Sequence, residues 1–141
     1  MRTLGQLKNF VEGRLLLTAA LVCLCSLAGF GQQRLLVIGG GERPAAAMRQ
    51  FVAWSGGPRS TILVITWASG VPDESFESLK KQFTEAGAGN VLDAPRRPLD
   101  EKGRAEFIRM LEQASGVFFS GGDQNRIMDV LTDEQLLTSL R

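Results

Sequence analysis

The 141-residue sequence contains no histidine and no tyrosine. Ser-His and Cys-His catalysis both need an imidazole as general base, and imidazole is also the commonest metal ligand in proteins. These residues alone therefore cannot complete such a catalytic pair or a histidine metal site. Carboxylates could still bind a cation, but no segment has the ligand spacing of an EF-hand loop. We expect neither a metal nor an organic cofactor.

The chain also lacks an excess of either charge and has few thiols. Its 16 basic and 15 acidic side chains give a formal net charge of +1, and neither sign is clustered. Proteins that bind nucleic acid usually carry a basic stripe, so we expect no nucleic-acid partner. The two cysteines, Cys23 and Cys25, are too close in sequence for an unstrained disulfide, and both fall in an apolar run near the N-terminus.

Residues 1–31 have the pattern of an export signal. Basic residues precede the 13-residue run 15–27, which is apolar apart from two hydroxyl side chains. That length suits the hydrophobic part of a signal peptide and is shorter than the ~20 residues that cross a bilayer. Gly29 and Gly31 supply the small side chains of a cleavage site. We expect residues 32–141 to be periplasmic or secreted, with no stable membrane span after signal removal; an uncleaved N-terminal anchor is the alternative.

Beyond this signal, strand-like and helix-like segments alternate four times. Short apolar or β-branched runs predict strands, and apolar residues spaced three and four apart predict helices. The predicted strands are 35–38 (buried on both faces), 61–66, 90–92 and 117–119 (buried); the predicted helices are 44–54, 73–86, 100–115 with Asp100 as its cap, one that follows Gln124, and 133–140. Such alternation indicates an α/β fold, a parallel sheet with helices on both faces. Residues 32–141 are interpreted as part of one such domain.

Sites in parallel sheets lie at the carboxyl ends of the strands. This rule selects three loops, 39–42, 67–72 and 120–124, which we expect to lie together. Gln124 is the strongest candidate, because a carboxamide can hold a substrate carbonyl or carboxylate, whereas Asp123 could simply cap the helix that follows. The candidate substrate-binding residues are Gly40, Gly41, Glu42, Ser69, Gly121, Gly122, Asp123 and Gln124.

None of these loops matches a nucleotide-binding or nucleophile motif. Pro44 occupies the third glycine position of G-x-G-x-x-G, and no P-loop sequence is present. Ser120 precedes two glycines, but Phe118 stands where a G-x-S-x-G elbow needs glycine. Without a histidine Ser120 is a poor nucleophile, and we assign it to the turn. Arg96 and Arg97 are interpreted as part of a solvated loop rather than as an anion clamp.

The segment 118–127, FFSGGDQNRI, resembles the cyanophycinase branch of the dipeptidase E family of serine peptidases. The similarity extends in order over about residues 35–140 and includes the Gly-Gly-Gly-Glu turn, the strand that runs into Ala-Ser, and the Gly-Gly-Asp-Gln turn. The resemblance implies a flavodoxin-like sheet of the class I glutamine amidotransferase type. It also implies hydrolysis of peptide or isopeptide bonds of a peptide substrate, in cyanophycinases those that join arginine to an aspartate backbone.

The same resemblance implies that Gln124 lines the substrate site beside the nucleophile. In the family that serine lies on a Gly-x-Ser-x-Gly elbow after the next strand, and its histidine follows later, which places both beyond Arg141. By this comparison the chain is the truncated N-terminal part of a peptidase domain, with no catalytic residue and no activity of its own. Other hypotheses are a non-catalytic α/β module that binds a small acidic or amide ligand, and a flavodoxin-like structural or partner domain. A homodimer is compatible with each.

Overall fold

The computed structural model describes residues 33–39, 41–131 and 138. The chain divides after Leu35 into two units, and in the first only residues 33–35 are described, with exposed side chains. The described part of the second unit contains four helices and three strands. In chain order these are α1 (Ala45–Trp54), a short 3-10 turn (Gly57–Arg59), β1 (Thr61–Ile65), α2 (Pro72–Glu85), β2 (Asn90–Asp93), α3 (Glu101–Gln113), β3 (Gly116–Phe119) and α4 (Gln124–Leu131).

Strand β1 lies at the centre of a three-stranded parallel sheet with the order β2-β1-β3. Thr61 is paired with Asn90 of β2, and Ile65 is paired with Phe119 of β3. The β1 sequence, TILVI, is β-branched or apolar throughout, and every side chain from Ile62 onward is buried. This is the pattern expected of a parallel strand that is covered on both faces.

Helices cover both faces of the sheet. Successive side chains of a strand point to opposite faces, so Ile62 and Val64 belong to one core and Leu63 and Ile65 to the other. Helices α1 and α2 complete the first core with Met48, Val52, Phe76, Leu79 and Phe83. The second core is completed by Trp67, Ala94, Phe107 and Val130. The predicted parallel α/β fold of flavodoxin-like type is confirmed.

Two of the predicted buried strands differ in the structure. Residues 35–38 form no strand, and the side chains of Leu35 and Val37 are 84% and 81% exposed. A strand needs a ladder with a neighbour, and residues 35–38 pair with no strand of the described sheet. The apolar run itself could not reveal this. Strand β3 forms, but it is partly exposed because it lies at an edge of the described sheet; Phe119 is 40% exposed.

The other element boundaries agree with the prediction to within two residues, the usual uncertainty at helix and strand ends. Three predicted features lie outside the described residues: the signal at 1–31, Gly40, and the helix at 133–140 apart from Thr138. Among the helices that the structure describes, none has the length and hydrophobicity to cross a membrane.

Asp100 caps α3 as predicted, with its Oδ1 accepting a hydrogen bond of 2.7 Å from the backbone N-H of Gly103. The carboxylate satisfies one of the N-H groups that the first helical turn leaves unpaired. An Asp100→Ala variant should therefore lose about 1 kcal/mol of unfolding free energy in urea denaturation. Asp100→Ser keeps an acceptor oxygen and should retain most of that stability; equal losses in both variants would contradict the capping role.

Candidate functional site

Two of the three predicted loops are joined at the carboxyl ends of β1 and β3. The N-H of Ser120 donates to the carbonyl of Ile65, and the N-H of Asp123 donates to the carbonyl of Ala68, each over 2.9 Å. Neighbouring parallel strands end at the same edge of a sheet, which brings the loops after them together. The turn after β3 is thus fixed by backbone hydrogen bonds to the end of β1 and the loop after it.

Gly122 makes this approach possible. It has a φ of +148°, and a Cβ built on it would lie within 2.1 Å of the carbonyl oxygen of Ala68. Only glycine allows such a backbone conformation and such a close approach without strain. By contrast, a Cβ on Gly121 would meet nothing within 4 Å. The two adjacent glycines therefore differ in role, since Gly122 joins the loops and Gly121 leaves open space at the turn.

Asp123 and Gln124 stand at the start of α4. The Oδ1 of Asp123 accepts a 2.9 Å hydrogen bond from the N-H of Asn125, and its carbonyl accepts one from the N-H of Arg126. Asp123 therefore caps the N-terminus of α4, although its side chain is half exposed. Gln124 is exposed, and within the described part of the chain its carboxamide has no hydrogen-bond partner. Its polar end is accessible to a ligand.

Neither serine of these loops offers a hydroxyl that is both accessible and unbonded. Ser69 Oγ lies 2.7 Å from Ser75 Oγ and accepts a 3.0 Å hydrogen bond from the N-H of Val71. This places Ser69 in the structure of the loop, where its hydroxyl supports the start of α2. Ser120 is 6% exposed, and its Oγ has no partner among the described residues. Its burial agrees with our assignment of Ser120 to the turn.

Arg96, which we expected to lie in a solvated loop, is held between two carboxylates. Its Nε and Nη2 lie 3.0 and 2.8 Å from Oδ1 of Asp73. Its Nη1 and Nη2 lie 2.5 and 2.6 Å from the two carboxylate oxygens of Asp93. Nη1 also donates to the carbonyl of Ala94. The interpretation of Arg96 as solvated is therefore wrong: it ties the start of α2 to the end of β2.

These contacts also set the electrostatics of Arg96. The pKa of its guanidinium is raised above its ordinary value, chiefly by the hydrogen bond to Asp93, while partial burial opposes the shift and Asp73 adds to it. The bidentate contact with Asp93 is of the strong, charge-assisted type. The sequence does show Asp73 at the start of a predicted helix and Arg96 three residues after Asp93. Spacing alone, however, could not show that the two loops face each other.

A cleft with a volume of about 240 Å³ lies at the same edge of the sheet and is lined by Arg96, Arg97 and Arg126. We call it the arginine cleft. The Nη1 of Arg126 donates to the carbonyl of Ser69 over 3.0 Å, so this guanidinium connects α4 to the loop after β1. Trp67 forms part of the wall, and its indole N-H is already bound to the carbonyl of Pro95. The cleft therefore offers cationic groups, with the Arg96-paired carboxylate of Asp73 beside them. Trp67 borders them with little free surface, at 2% exposure.

The remaining predicted loop lies elsewhere. Gly41 and Glu42 border a cavity of about 470 Å³ together with the last turns of α2, and Arg43 Nε donates to Gln82 Oε1 over 3.1 Å. Helix α2 begins at the carboxyl end of β1 and runs back along the sheet, so its last turns lie toward the opposite end. The structure thus separates this loop from the other two, and Gly40 lies outside the described residues.

The two joined loops provide positioning groups. They present the carboxamide of Gln124, a turn without side chains at Gly121, and the arginine cleft. In the part of the chain that the structure describes, no three acidic or thiol side chains are close enough together to hold a metal. These groups can orient a peptide or a carboxylate, and none of them is an activated nucleophile.

The chain is similar in sequence to several curated cyanophycinases. It is 32% identical over 110 residues to the cyanophycinases of Trichormus variabilis and of a Nostoc species, and 30% identical over 112 residues to that of Geminocystis herdmanii. Each match covers 76% of this chain but only 37% to 40% of the relative, so the chain spans about two fifths of these proteins. No family model matches. Over 76% of its length the chain is therefore similar to part of the cyanophycinases.

Proposed function

We propose that this chain forms the substrate-holding part of a serine-type peptidase that hydrolyses peptide or isopeptide bonds of acidic peptides. The similarity to cyanophycinases supports a peptidase relationship. The observation that carries the proposal is the Gly-Gly-Asp-Gln turn, which backbone hydrogen bonds fix at the carboxyl edge of the sheet while the carboxamide of Gln124 stays exposed.

Each residue of the turn has a separate role in this proposal. Gly122 lets the turn lie directly on the loop after β1, and Asp123 closes the start of α4. Gly121 has open space around it, which allows an extended peptide to approach the backbone. The carboxamide of Gln124 can donate one hydrogen bond and accept another, so it can hold both an N-H and a carbonyl of the substrate.

The proposal assigns the nucleophilic serine and its imidazole to sequence outside these 141 residues. The 141 residues contain no histidine, and an unassisted serine hydroxyl is a weak nucleophile. Ser120 is also too buried to reach a substrate, at 6% exposure. We propose further that the protein acts outside the cytoplasm, because the charged start and apolar run of residues 1–31 have the pattern of an export signal.

The test of the proposal is the effect of Gln124 on hydrolysis by the complete protein that contains these residues. Gln124→Ala should lower kcat/KM for a short aspartyl peptide by about 10- to 100-fold, because it removes two hydrogen bonds that hold the scissile amide in place. Release of the product amino acid or dipeptide is measured by chromatography. The 141-residue chain alone serves as the blank.

The matched control is Asn125→Ala on the next position of α4. Asn125 is also exposed, and its bond to Asp123 is made by its backbone N-H, with no side-chain hydrogen bond among the described residues, so this variant should keep kcat/KM within about twofold of wild type. Unchanged hydrolysis by Gln124→Ala would overturn the role of Gln124. Hydrolysis by the 141-residue chain itself would overturn the placement of the catalytic groups.

A non-catalytic binding module for a small acidic or amide ligand is the alternative, and the arginine cleft is the observation that favours it. The two functions differ in one outcome. A binding module would show saturable heat with an aspartyl peptide in calorimetry and leave that peptide intact after prolonged incubation, whereas the peptidase would release products from it.

A further inference from the structure

We infer that the arginine cleft is a carboxylate subsite in which Arg97 and Arg126 bind an acidic group of the ligand. The identification of that group as part of a peptide substrate rests on the proposed function. Binding of a carboxylate in the cleft does not, because it depends only on the charges and shape of the residues described above.

The three arginines of the cleft differ in how closely an aspartate carboxylate compensates their positive charge. Arg96 contacts the carboxylates of Asp73 and Asp93 at 2.5 to 3.0 Å, so it is already neutralised and acts as scaffold. In contrast, the only ion pair of Arg97 among the described residues joins its Nη1 to Oδ2 of Asp129 at 3.9 Å. This distance is too long for a direct hydrogen bond. A ligand oxygen could therefore bind Arg97 without displacing a short protein contact.

Arg126 also lacks a short ion pair among the described residues, and its side chain is held in place. Its Nε lies 4.0 Å from Oδ2 of Asp123, again beyond hydrogen-bonding distance. Its Nη1 is fixed by the carbonyl of Ser69, and the same nitrogen lies 3.2 Å from where a Cβ of Gly70 would stand. A guanidinium that is already positioned loses little conformational freedom when it binds a carboxylate. Arg126 thus has one anchored nitrogen and further N-H groups to offer.

The size of the cleft limits the ligand to a small anion. Its volume of about 240 Å³ is below the roughly 300–1,000 Å³ of pockets that enclose drug-sized ligands. That space suits one carboxylate-bearing side chain or a chain terminus. Arg126 and Gln124 also belong to the same first turn of α4. Residues two apart do not face each other on a helix, so Gln124 and Arg126 contact different parts of a ligand.

Trp67 provides a readout of binding, because its indole is buried at 2% exposure but borders the cleft. The chain has two tryptophans, and Trp54 lies on α1, away from the residues that line the cleft. In the full 141-residue chain with Trp54→Phe, the remaining fluorescence reports on the wall of the cleft. Titration with succinate should change this fluorescence saturably, and added salt should weaken the binding because the contacts are ionic. Inorganic phosphate is titrated in parallel to distinguish a carboxylate subsite from a phosphate site.

In this background Arg97→Gln and Arg126→Gln should each weaken succinate binding about tenfold or more, the usual effect of losing a charge-assisted contact. The matched control is Arg109→Gln, because Arg109 has a comparable 3.9 Å ion pair with Glu106 on α3 and lies outside the cleft. It should leave the affinity unchanged. Arg126→Gln also removes the hydrogen bond to the Ser69 carbonyl and could loosen the loop. Arg126→Lys retains the charge, so it should recover part of the affinity. Circular dichroism checks that each variant is folded.

Three outcomes would overturn the subsite: no saturable response to succinate, equal affinities in Arg97→Gln and wild type, or tighter binding of phosphate than of succinate. Failure of the proposed function would give a different set of results from failure of the subsite. If succinate binds as described but the complete protein hydrolyses no aspartyl peptide, the carboxylate subsite stands and the peptidase proposal falls. If the complete protein hydrolyses such peptides with the same KM in Arg97→Gln and wild type, the subsite falls and the peptidase proposal stands.

Discussion

Replacing Gly122 with alanine should lower the free energy of unfolding by about 2–5 kcal/mol. Two effects combine at this position. An alanine would have to adopt a φ of +148°, and its Cβ would lie within 2.1 Å of the Ala68 carbonyl oxygen, a backbone atom that cannot move aside as a flexible side chain can. The turn would have to separate from the loop after β1 and lose the hydrogen bond between Asp123 N-H and the Ala68 carbonyl.

Gly121→Ala is the matched control, because it makes the same chemical change at the adjacent residue. Gly121 does not have a positive φ, and its added Cβ would meet nothing within 4 Å, so we expect a change of about 0.5 kcal/mol or less in urea denaturation. Similar stabilities for the two alanine variants would contradict the close approach of the loops. Weaker succinate binding by Gly122→Ala alone would show that the arginine cleft depends on it.

The site is thus built from backbone contacts, with few side chains holding it together. The turn after β3 is fixed by N-H groups of Ser120 and Asp123, and Arg126 adds a side-chain bond to the carbonyl of Ser69. Because backbone groups hold the loops, the exposed side chain of Gln124 is left free for a ligand. This division of roles explains why a segment of small and polar residues can be held in place by hydrogen bonds and still be accessible.

Sequence patterns predicted most of the fold because burial determines them directly. The β1 strand is apolar throughout since both of its faces are covered, and the helices repeat apolar residues at the spacing of one covered face. The pattern failed where pairing decides the structure. Residues 35–38 are as apolar as a strand yet have no ladder, and Phe119 is partly exposed because β3 has one free edge in the described sheet.

The candidate site was predictable to the extent that topology determines it. The rule that sites lie at the carboxyl ends of parallel strands brought the loops after β1 and β3 together, including Gly122 and Gln124. The same rule misplaced Glu42, because the described residues 33–39 that precede it form no strand. Arg96 was missed for a different reason: its partners Asp73 and Asp93 come from separate loops, and only the folded sheet brings them together.

Phe107→Ala should destabilise the protein by about 3–5 kcal/mol and should also disturb the arginine cleft. Phe107 is fully buried, and its ring centroid lies 4.9 Å from that of Trp67, which lines the cleft. Truncation leaves a cavity beneath Trp67, and close-packed cores collapse only partly around such a cavity. We therefore expect a lower urea midpoint, a shift of the Trp67 fluorescence in the Trp54→Phe background, and weaker succinate binding.

Phe119→Ala removes the same aromatic ring from the edge strand and serves as the control. Phe119 is 40% exposed, so its truncation should cost less than about 1.5 kcal/mol and leave the Trp67 fluorescence unchanged. Equal destabilisation by the two substitutions would mean that Phe107 does not support the core in the way its burial indicates. A stability loss confined to Phe107→Ala, with succinate affinity unchanged, would instead show that the cleft does not depend on the packing of Phe107 against Trp67.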